Sequence, residues 1–547
     1  MTRDKALFFI LMILAIYLIG AVKIDLMDND ATQYMTIAAN MDKSGDYLTV
    51  KWRNDYNYLD KPPMLFWLSS FFFSFLGINH FAYRLPSVLI NLLGIFSTYK
   101  LGKRLYNEQV GLYSAIIYAC NFGIILINHD VRTDTMLTGF VIFAIWQLYA
   151  YLKDKKKSNF IWGFIGIGLA ITAKGPLGLL IPMLALGPHL VYQKKWRDIF
   201  RPEWFLGLII ILIVLIPMII SAYNQHGLYG LKFHFWSQSF GRLTGESKWV
   251  DTTGPFFFLH SFLWSFIPWT IFALIAYYKK WVSAIKSFSQ SNNEEVITLS
   301  GITLVFIAMS MANYKLPHYV YVVFPLVAII TGNYIQKTYK LIKWEGFGKV
   351  IYRSQSIFNL LLWIAVILSF ILFEVKSFWI YFIAYFAFSY YFYSTLNRNS
   401  GLPKIFTSTL VTMLGVAFVL NTHFYPGMNP YQGRVLAGKY LKENKISAED
   451  VMIYPHHVHK PTIDVYSNML IPRTHELSTI DSILDHKAWV YVFTNDNGLD
   501  SLQNQNYKLK QEKVFKDYQI SLLSLPFLNP KTRESTLNNL YLIKVKK

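Results

Sequence analysis

From residue 1 to 422 the chain alternates long apolar runs with short polar junctions, and beyond that point the pattern changes. A helix needs roughly 17 to 22 apolar residues to cross about 30 Å of hydrocarbon. About thirteen runs approach that length: 5–23, 84–102, 109–127, 133–151, 159–173, 176–192, 204–222, 257–278, 296–312, 318–336, 356–373, 378–395 and 405–422. They predict an α-helical polytopic membrane protein. The stretch "MLFWLSSFFFSFLG" after Pro63 is short and aromatic, which predicts an interfacial helix lying along the surface. Past residue 422, "DVMIYP", "AWVYVFTN" and "NLYLIKVKK" read as short strands among polar segments. The expected domains are therefore a membrane domain over 1–422 and a folded α/β module over 423–547.

Composition agrees with that picture: 54% of residues are hydrophobic and 15% charged. A net charge of +20 would suit a nucleic-acid binder, but the basic residues fall between apolar runs rather than on one stripe. No nucleic-acid partner is expected. The single cysteine, Cys120, excludes disulfides and cysteine-ligated clusters. Alternate junctions are basic (Lys100/Lys103/Arg104, Lys153/Lys155/Lys156/Lys157, Lys194/Lys195/Arg197/Arg201, Lys279/Lys280/Lys286, Lys337/Lys340/Lys343 and Arg398/Lys404), which makes them cytoplasmic by the positive-inside rule. The first run, followed by Lys23-Ile-Asp without a small-residue cleavage site, reads as an anchor. The remaining junctions, 24–83, 128–132, 174–175, 223–256, 313–317 and 374–377, then face outward together with the tail.

Those outward junctions hold the candidate chemistry. They contain Asp30, Asp60 and Lys61 in the first loop, "NHDVRTDT" (Asp130, Arg132, Asp134), "TAKGPLG" (Lys174), "FHFWSQSFGRLTGES" (His234, Arg242, Glu246) and "NYKLPHY" (Lys315, His318). Ionisable groups at span ends are costly and default to a functional reading. Cations with carboxylates at the bilayer surface suit an amphiphile with an anionic head, since phosphate draws Lys and Arg as counter-ions and donors. A carboxylate beside it can act as a base or hold a divalent cation. On the outer side an activated group must come from a lipid carrier. Bland readings stand beside these. Asp28, Asp42, Asp46 and Asp55 suit a solvated loop face, and Asp30 could simply cap the helix in which Tyr34, Ile37, Ala38 and Met41 share a side. Lys174 and Lys315 could be snorkelling lysines that end helices. His456, His457 and His459 resemble a metal site but lack obvious acidic partners.

Taken in order, "DATQYMTIAANMDKSGDYLTV", "YLDKPPMLFWL", "FAYRLPSVL", "RTDTML", "TAKGPLGLLIP", "FWSQSFGRL", "FLWSFIPW" and "KLPHYVYVVFP" resemble the GT-C membrane glycosyltransferases that use polyprenyl-phosphate sugars. The likeness is to the lipid A aminoarabinose transferase branch and the related protein O-mannosyltransferases, over roughly residues 1 to 336. It implies a GT-C fold of about thirteen transmembrane helices with an extracytoplasmic C-terminal domain. It also implies that Asp30 and Asp134 are catalytic-loop acids, that Lys61, Arg242 and Lys315 cradle the carrier phosphate, and that Lys174 belongs to a Lys-Gly motif at the same site. Two positions depart from the pattern. Ala31 stands where a glutamate is common, and Asp60 replaces the metal-holding glutamate, whose accompanying histidine corresponds to Ser239. A divalent metal at Asp60 is the one cofactor suggested.

The expected activity is transfer of a sugar from undecaprenyl phosphate or a similar carrier to a lipid, glycan or lipid A-type acceptor, with inversion, at the periplasmic face of a bacterial inner membrane. Asp30 would be the general base. The alternatives are a protein O-mannosyltransferase-like enzyme acting on Ser/Thr and a non-catalytic lipid-linked glycan transporter. A transporter should show pseudo-repeated halves with broken helices, and the sequence shows no such repeat.

Overall fold

The computed structural model describes residues 1–27, 30–53, 56–238, 241, 253–288, 293–341, 347–373, 379, 382–383, 386–387, 389–390, 394 and 404–547. The first helix, α1 (Arg3–Lys23), is capped by Thr2, whose side chain accepts from the Lys5 N–H. At 1.5 Å per residue its 21 residues reach about 31 Å, enough to cross a bilayer. It is followed by α2 (Asp30–Ser44), a short hairpin of β1 (Lys51–Arg53) with β2 (Tyr56–Asn57), and α3 (Met64–Leu76). At 13 residues α3 is too short to span, as its sequence predicts. In α2, Tyr34, Ile37, Ala38 and Met41 are all buried, as their helical spacing predicts, and Thr32, Met35, Thr36 and Ala39 on its other sides are buried as well.

Next come α4 (His80–Leu105), α5 (Glu108–Ala119), α6 (Phe122–Ile127), α7 (Thr133–Asp154), α8 (Lys157–Lys174) and α9 (Leu177–Tyr192). Helices also cover Glu203–Lys232, Val296–Ser310, Phe324–Leu341, Phe347–Leu372 and Lys404–Val419. Among the described residues seven helices are individually long and apolar enough to cross a membrane. Two predicted spans are interrupted. The run 109–127 breaks at Asn121, whose side chain caps α6 by accepting from the Ile124 N–H and donates to the Tyr118 carbonyl at 2.6 Å. The run 257–278 breaks into Phe257–Ser265 and Thr270–Lys286 around Pro268. Most of the run 378–395 lies outside the described residues. Small residues let the helices approach closely. A side chain at Gly139 would meet Ile90 at 2.6 Å, so α7 approaches α4 at a point where α7 has no room for a side chain.

The C-terminal domain is a four-stranded sheet in the order β3 (Val451–Ile453), β4 (Val490–Asn495), β6 (Asn538–Lys546), β5 (Lys508–Asp517). β3 runs parallel to β4, and the other pairs are antiparallel. Helices Gly433–Glu443 and Pro461–Ser467 cover one face, where Leu441 and Ile463 pack with Phe493, Phe515 and Leu542. Leu477–His486 and Asp496–Gln503 cover the other, packing Ile480 and Leu502 on Val492 and Ile543. Three of the four strands are the segments read from sequence; β5, with four lysines and two acids in ten residues, was masked by its charge.

This domain grips the first loop. Arg53 of β1 donates to Asp464 at 2.7 Å and to the Ile471 carbonyl at 2.8 Å, and His459 lies 2.8 Å from the same Asp464 oxygen. Lys439 pairs with Asp25 at 2.8 Å, and Tyr466 accepts from the Leu26 N–H at 2.6 Å.

Candidate functional site

Four segments converge at the end of the helical domain that carries the C-terminal domain. The first is the α1–α2 connection. Arg84 of "RLPS" is fully buried and donates to the carbonyls of Ile24 at 2.6 Å, Ala21 at 3.1 Å, Asp25 at 3.3 Å and His129 at 3.0 Å. One guanidinium thus satisfies the open carbonyls at the end of α1 and ties them to the loop before α7. Motif comparison marks this arginine without revealing that role.

That second loop presents Asp130 and Arg132, and α7 starts right after it, with Asp134 in its first turn, where a carboxylate is favoured by the helix dipole. Arg132 donates to Asp130 at 2.8 Å through Nε and to Asp30 Oδ2 through Nη1. Burial opposes its charge, but Asp130 and Asp30 outweigh that and raise the guanidinium pKa. Asp30, the first residue of α2, therefore holds an ion-pair partner as well as a helix-terminal place, and its side chain remains 42% exposed. Tyr34, one turn along, is kept protonated by burial with the charges of Asp30 and Asp134 adding to it, so both carboxylates act on one neighbourhood.

Asp134 differs from Asp30 in its surroundings. It is buried, with Oδ1 bound by Lys174 and Oδ2 3.5 Å from His318 Nε2. Lys174 ends α8, and Gly175 at φ +70° makes the turn that a side-chain-bearing residue would resist. The lysine points inward, with Nζ 3.7 Å from the centroid of the Tyr319 ring. Its side chain is 13% exposed, which rules out snorkelling. Lys315 is likewise buried and donates to the Thr253 carbonyl at 3.1 Å.

Asp60, Lys61, Asp134, Lys174 and His234 all line one cavity of about 110 Å³. Its remaining wall is mostly apolar, including Leu137, Ile181, Val305, Met309 and Val322. Lys315 is not among the lining residues, although its neighbour Tyr314 is. Arg242, Glu246 and Ser239 lie outside the described residues. Asp28 and Asp55 do as well. Among the described residues no group of three or more His, Cys, Asp or Glu could hold a metal ion. Asp60, Asp134 and His234 share the cavity, but Asp134 is held by Lys174, and the two donors that remain are too few for a protein-built cage. His459 of the tail cluster serves the Arg53–Asp464 contact, and His456 stacks on His475 at 4.6 Å. Sequence reasoning singled out neither the Arg132 bridge to Asp30 nor the Arg53–Asp464 pair, which joins residues over 400 positions apart and leaves no local signal.

The pattern of the dolichyl-phosphate-mannose-protein mannosyltransferase family matches residues 60–220. An undecaprenyl phosphate-alpha-4-amino-4-deoxy-L-arabinose arabinosyl transferase of Pseudomonas fluorescens is 24% identical over 63% of this chain and 61% of its own length. The corresponding transferase of Edwardsiella ictaluri is 24% identical over 56% of this chain and 55% of its own. The chain thus matches about six-tenths or less of the length of these curated relatives. Among solved structures, ArnT from Cupriavidus metallidurans bound to undecaprenyl phosphate superposes with a TM-score of 0.75 at 16% identity, covering 99% of this chain and 98% of that one. The apo oligosaccharyltransferase of Archaeoglobus fulgidus reaches 0.51 at 12% identity, over 90% and 70%. The chain has the GT-C fold, with a C-terminal sheet domain, and resembles the ArnT-like membrane glycosyltransferases.

Proposed function

We propose that this protein is an integral-membrane glycosyltransferase that takes a sugar from a polyprenyl (undecaprenyl) phosphate and delivers it, with inversion, to a lipid, glycan or lipid A-type acceptor on the periplasmic side. The observation that carries this reading is the cavity itself. Lys61 and Lys174 enter an apolar-walled space at the end of the helical domain; Asp30 and Arg132 do not line it, but Arg132 acts on His318 together with Asp134, Lys174 and Lys61, so the Arg132–Asp30 pair belongs to the same charged cluster. Cationic donors above an apolar wall match a phosphate head on a lipid tail.

The step is a single displacement. An acceptor oxygen attacks the anomeric carbon, the bond from that carbon to the phosphate oxygen breaks, and its electron pair stays on the lipid phosphate. Lys61 stabilises that developing charge, with Arg242 and Lys315 the further cations that the family likeness assigns to the phosphate. Asp30 takes the acceptor proton, because it is the exposed carboxylate; Asp134 is buried and holds Lys174 in place. An acceptor phosphate would arrive ionised, and Asp30 would then orient it. No step runs through a metal. Turnover in EDTA should match turnover without it, and loss restored by Mg²⁺ or Mn²⁺ would place an ion at Asp60. A Ser/Thr hydroxyl of a protein is the second acceptor reading, favoured by the family match over 60–220.

The test is full-length protein in detergent with radiolabelled undecaprenyl-phosphate sugar and a panel of lipid, glycan and peptide acceptors. Donor consumption with label appearing on an acceptor is expected. Donor that binds but is returned intact with every acceptor would point to a transporter.

A further inference from the structure

On the C-terminal sheet the ladder register sets Lys508 opposite Lys546 and Lys510 opposite Lys544. Residues two apart on a strand share a face, so these four ammoniums form a square on one side of the sheet. Like charges directly opposite destabilise a sheet. Edge protection accounts for lysines on β5, the outermost strand, but β6 is paired on both sides and needs none. Lys516 and Lys547, nearby, pair with Glu534 and Asp485, whereas the square has no ion pair among the described residues. Lys513 joins the same face past a bulge, over the Tyr440 ring at 4.4 Å. Acids are present but fewer. Glu512 bears on Tyr440 and Tyr491, and Asp450 is taken by Lys487 at 2.8 Å.

Aromatic rings border the square. Tyr491 is the register partner of Lys544, and Trp489 meets Tyr491 edge-on at 4.9 Å. Lys544 Nζ stands 3.9 Å from the Trp489 ring centroid. Cross-strand spacing of roughly 4.5–5.5 Å places ammoniums close enough to share one phosphate or to meet successive carboxylates. The half-buried rings beside them offer a flat surface to a sugar. A membrane-docking face would instead show exposed apolar side chains that insert into lipid.

We propose that the Lys508–Lys510–Lys544–Lys546 square, with Trp489 and Tyr491, is a binding site for an anionic saccharide bearing phosphate or carboxylate groups. That this saccharide is the acceptor, gathered by the domain for the cavity, rests on the proposed function; the binding itself does not.

The experiment uses full-length protein in detergent and an oligogalacturonate, with its neutral methyl ester as the uncharged match. Wild type should bind the acid form, more weakly as salt rises, and not the ester. The double variant Lys510→Gln/Lys544→Gln, with unchanged melting, should bind about tenfold more weakly or worse, while Lys516→Gln binds like wild type. Equal binding of acid and ester, or wild-type affinity in the double variant, overturns the site. A loss seen only with phosphatidylglycerol vesicles and not with the oligosaccharide reassigns the face to the membrane and also overturns it. In a turnover assay with an anionic glycan acceptor, the double variant should raise acceptor KM and leave kcat and donor binding unchanged. Should the protein prove to transfer nothing, the oligogalacturonate result stands by itself.

Discussion

Two carboxylates of the charged cluster, Asp30 and Asp134, are separated by what surrounds them. Asp30 shares Arg132 with Asp130 and remains 42% exposed, so a substrate hydroxyl can reach it. Asp30→Asn keeps the shape and the helix-terminal acceptor but cannot take a proton. Turnover should fall on the order of 10²- to 10⁴-fold, with donor binding and melting retained; a variant that turns over like wild type removes Asp30 as base. Asp134 predicts the reverse kind of loss. Lys174→Ala removes the ion-pair partner of its buried carboxylate, which should cost about 3 kcal/mol or more of stability. Lys174→Ala/Asp134→Ala should recover much of that in thermal melts, while activity stays low. A double variant no more stable than the single would show that the pair is not the source of the loss. The sequence placed both acids and both lysines on one side of the membrane because charge at span ends is conspicuous. It could not rank them, since exposure and partner choice arise only when α2, α7 and α8 are brought together.

At the scale of elements, legibility followed the period of the apolar pattern. Uniform runs became helices, and α3 was recognisable by being too short. The breaks at Asn121 and Pro268 were visible as residues, yet hydropathy alone averaged over them. β5 was missed because an edge strand rich in lysine has no alternating signal. Contacts between distant elements were invisible, and two of them set the loop. Arg84 holds the end of α1 through three carbonyls and ties it to the His129 carbonyl before α7; Arg84→Lys offers one ammonium in place of a planar fork and leaves buried carbonyls open, each worth about 1–3 kcal/mol. Purified yield and melting temperature should both drop. The Arg53–Asp464 pair fastens the β1–β2 hairpin, which leads directly into Asp60-Lys61. Arg53→Ala should expose the 45–60 loop to limited proteolysis and raise donor KM, with the membrane helices protected as before. Unchanged cleavage and KM would mean that the hairpin holds itself.

For the whole molecule, the donor class depends on which side of the membrane the cavity faces. Nucleotide sugars are made and held in the cytoplasm, so an outward-facing cavity must use a carrier lipid, whereas an inward-facing one need not. The cavity, the first loop and the sheet domain lie at one end, joined by Arg53–Asp464 and Lys439–Asp25. The opposite end carries Arg104–Asp154, Lys153–Glu294 and Lys155–Asp198, the basic junctions that the positive-inside rule assigns to the cytoplasm. Cys120 is the only cysteine and is 1% exposed, which leaves a silent background for single-cysteine labelling. Ser158→Cys, in the first turn of α8 beside the basic Lys155–Lys157 run, and Gln505→Cys, in the sheet domain, are both at exposed positions. In intact cells with the outer membrane opened, a membrane-impermeant maleimide should modify Gln505→Cys at once and Ser158→Cys only after detergent. The reverse pattern would turn the cavity to the cytoplasm and remove the reason for a polyprenyl-phosphate donor, even with every contact at the site unchanged. Labelling of both in intact cells would mean that the two ends are not on opposite sides, and the helices would then not span as the apolar pattern requires.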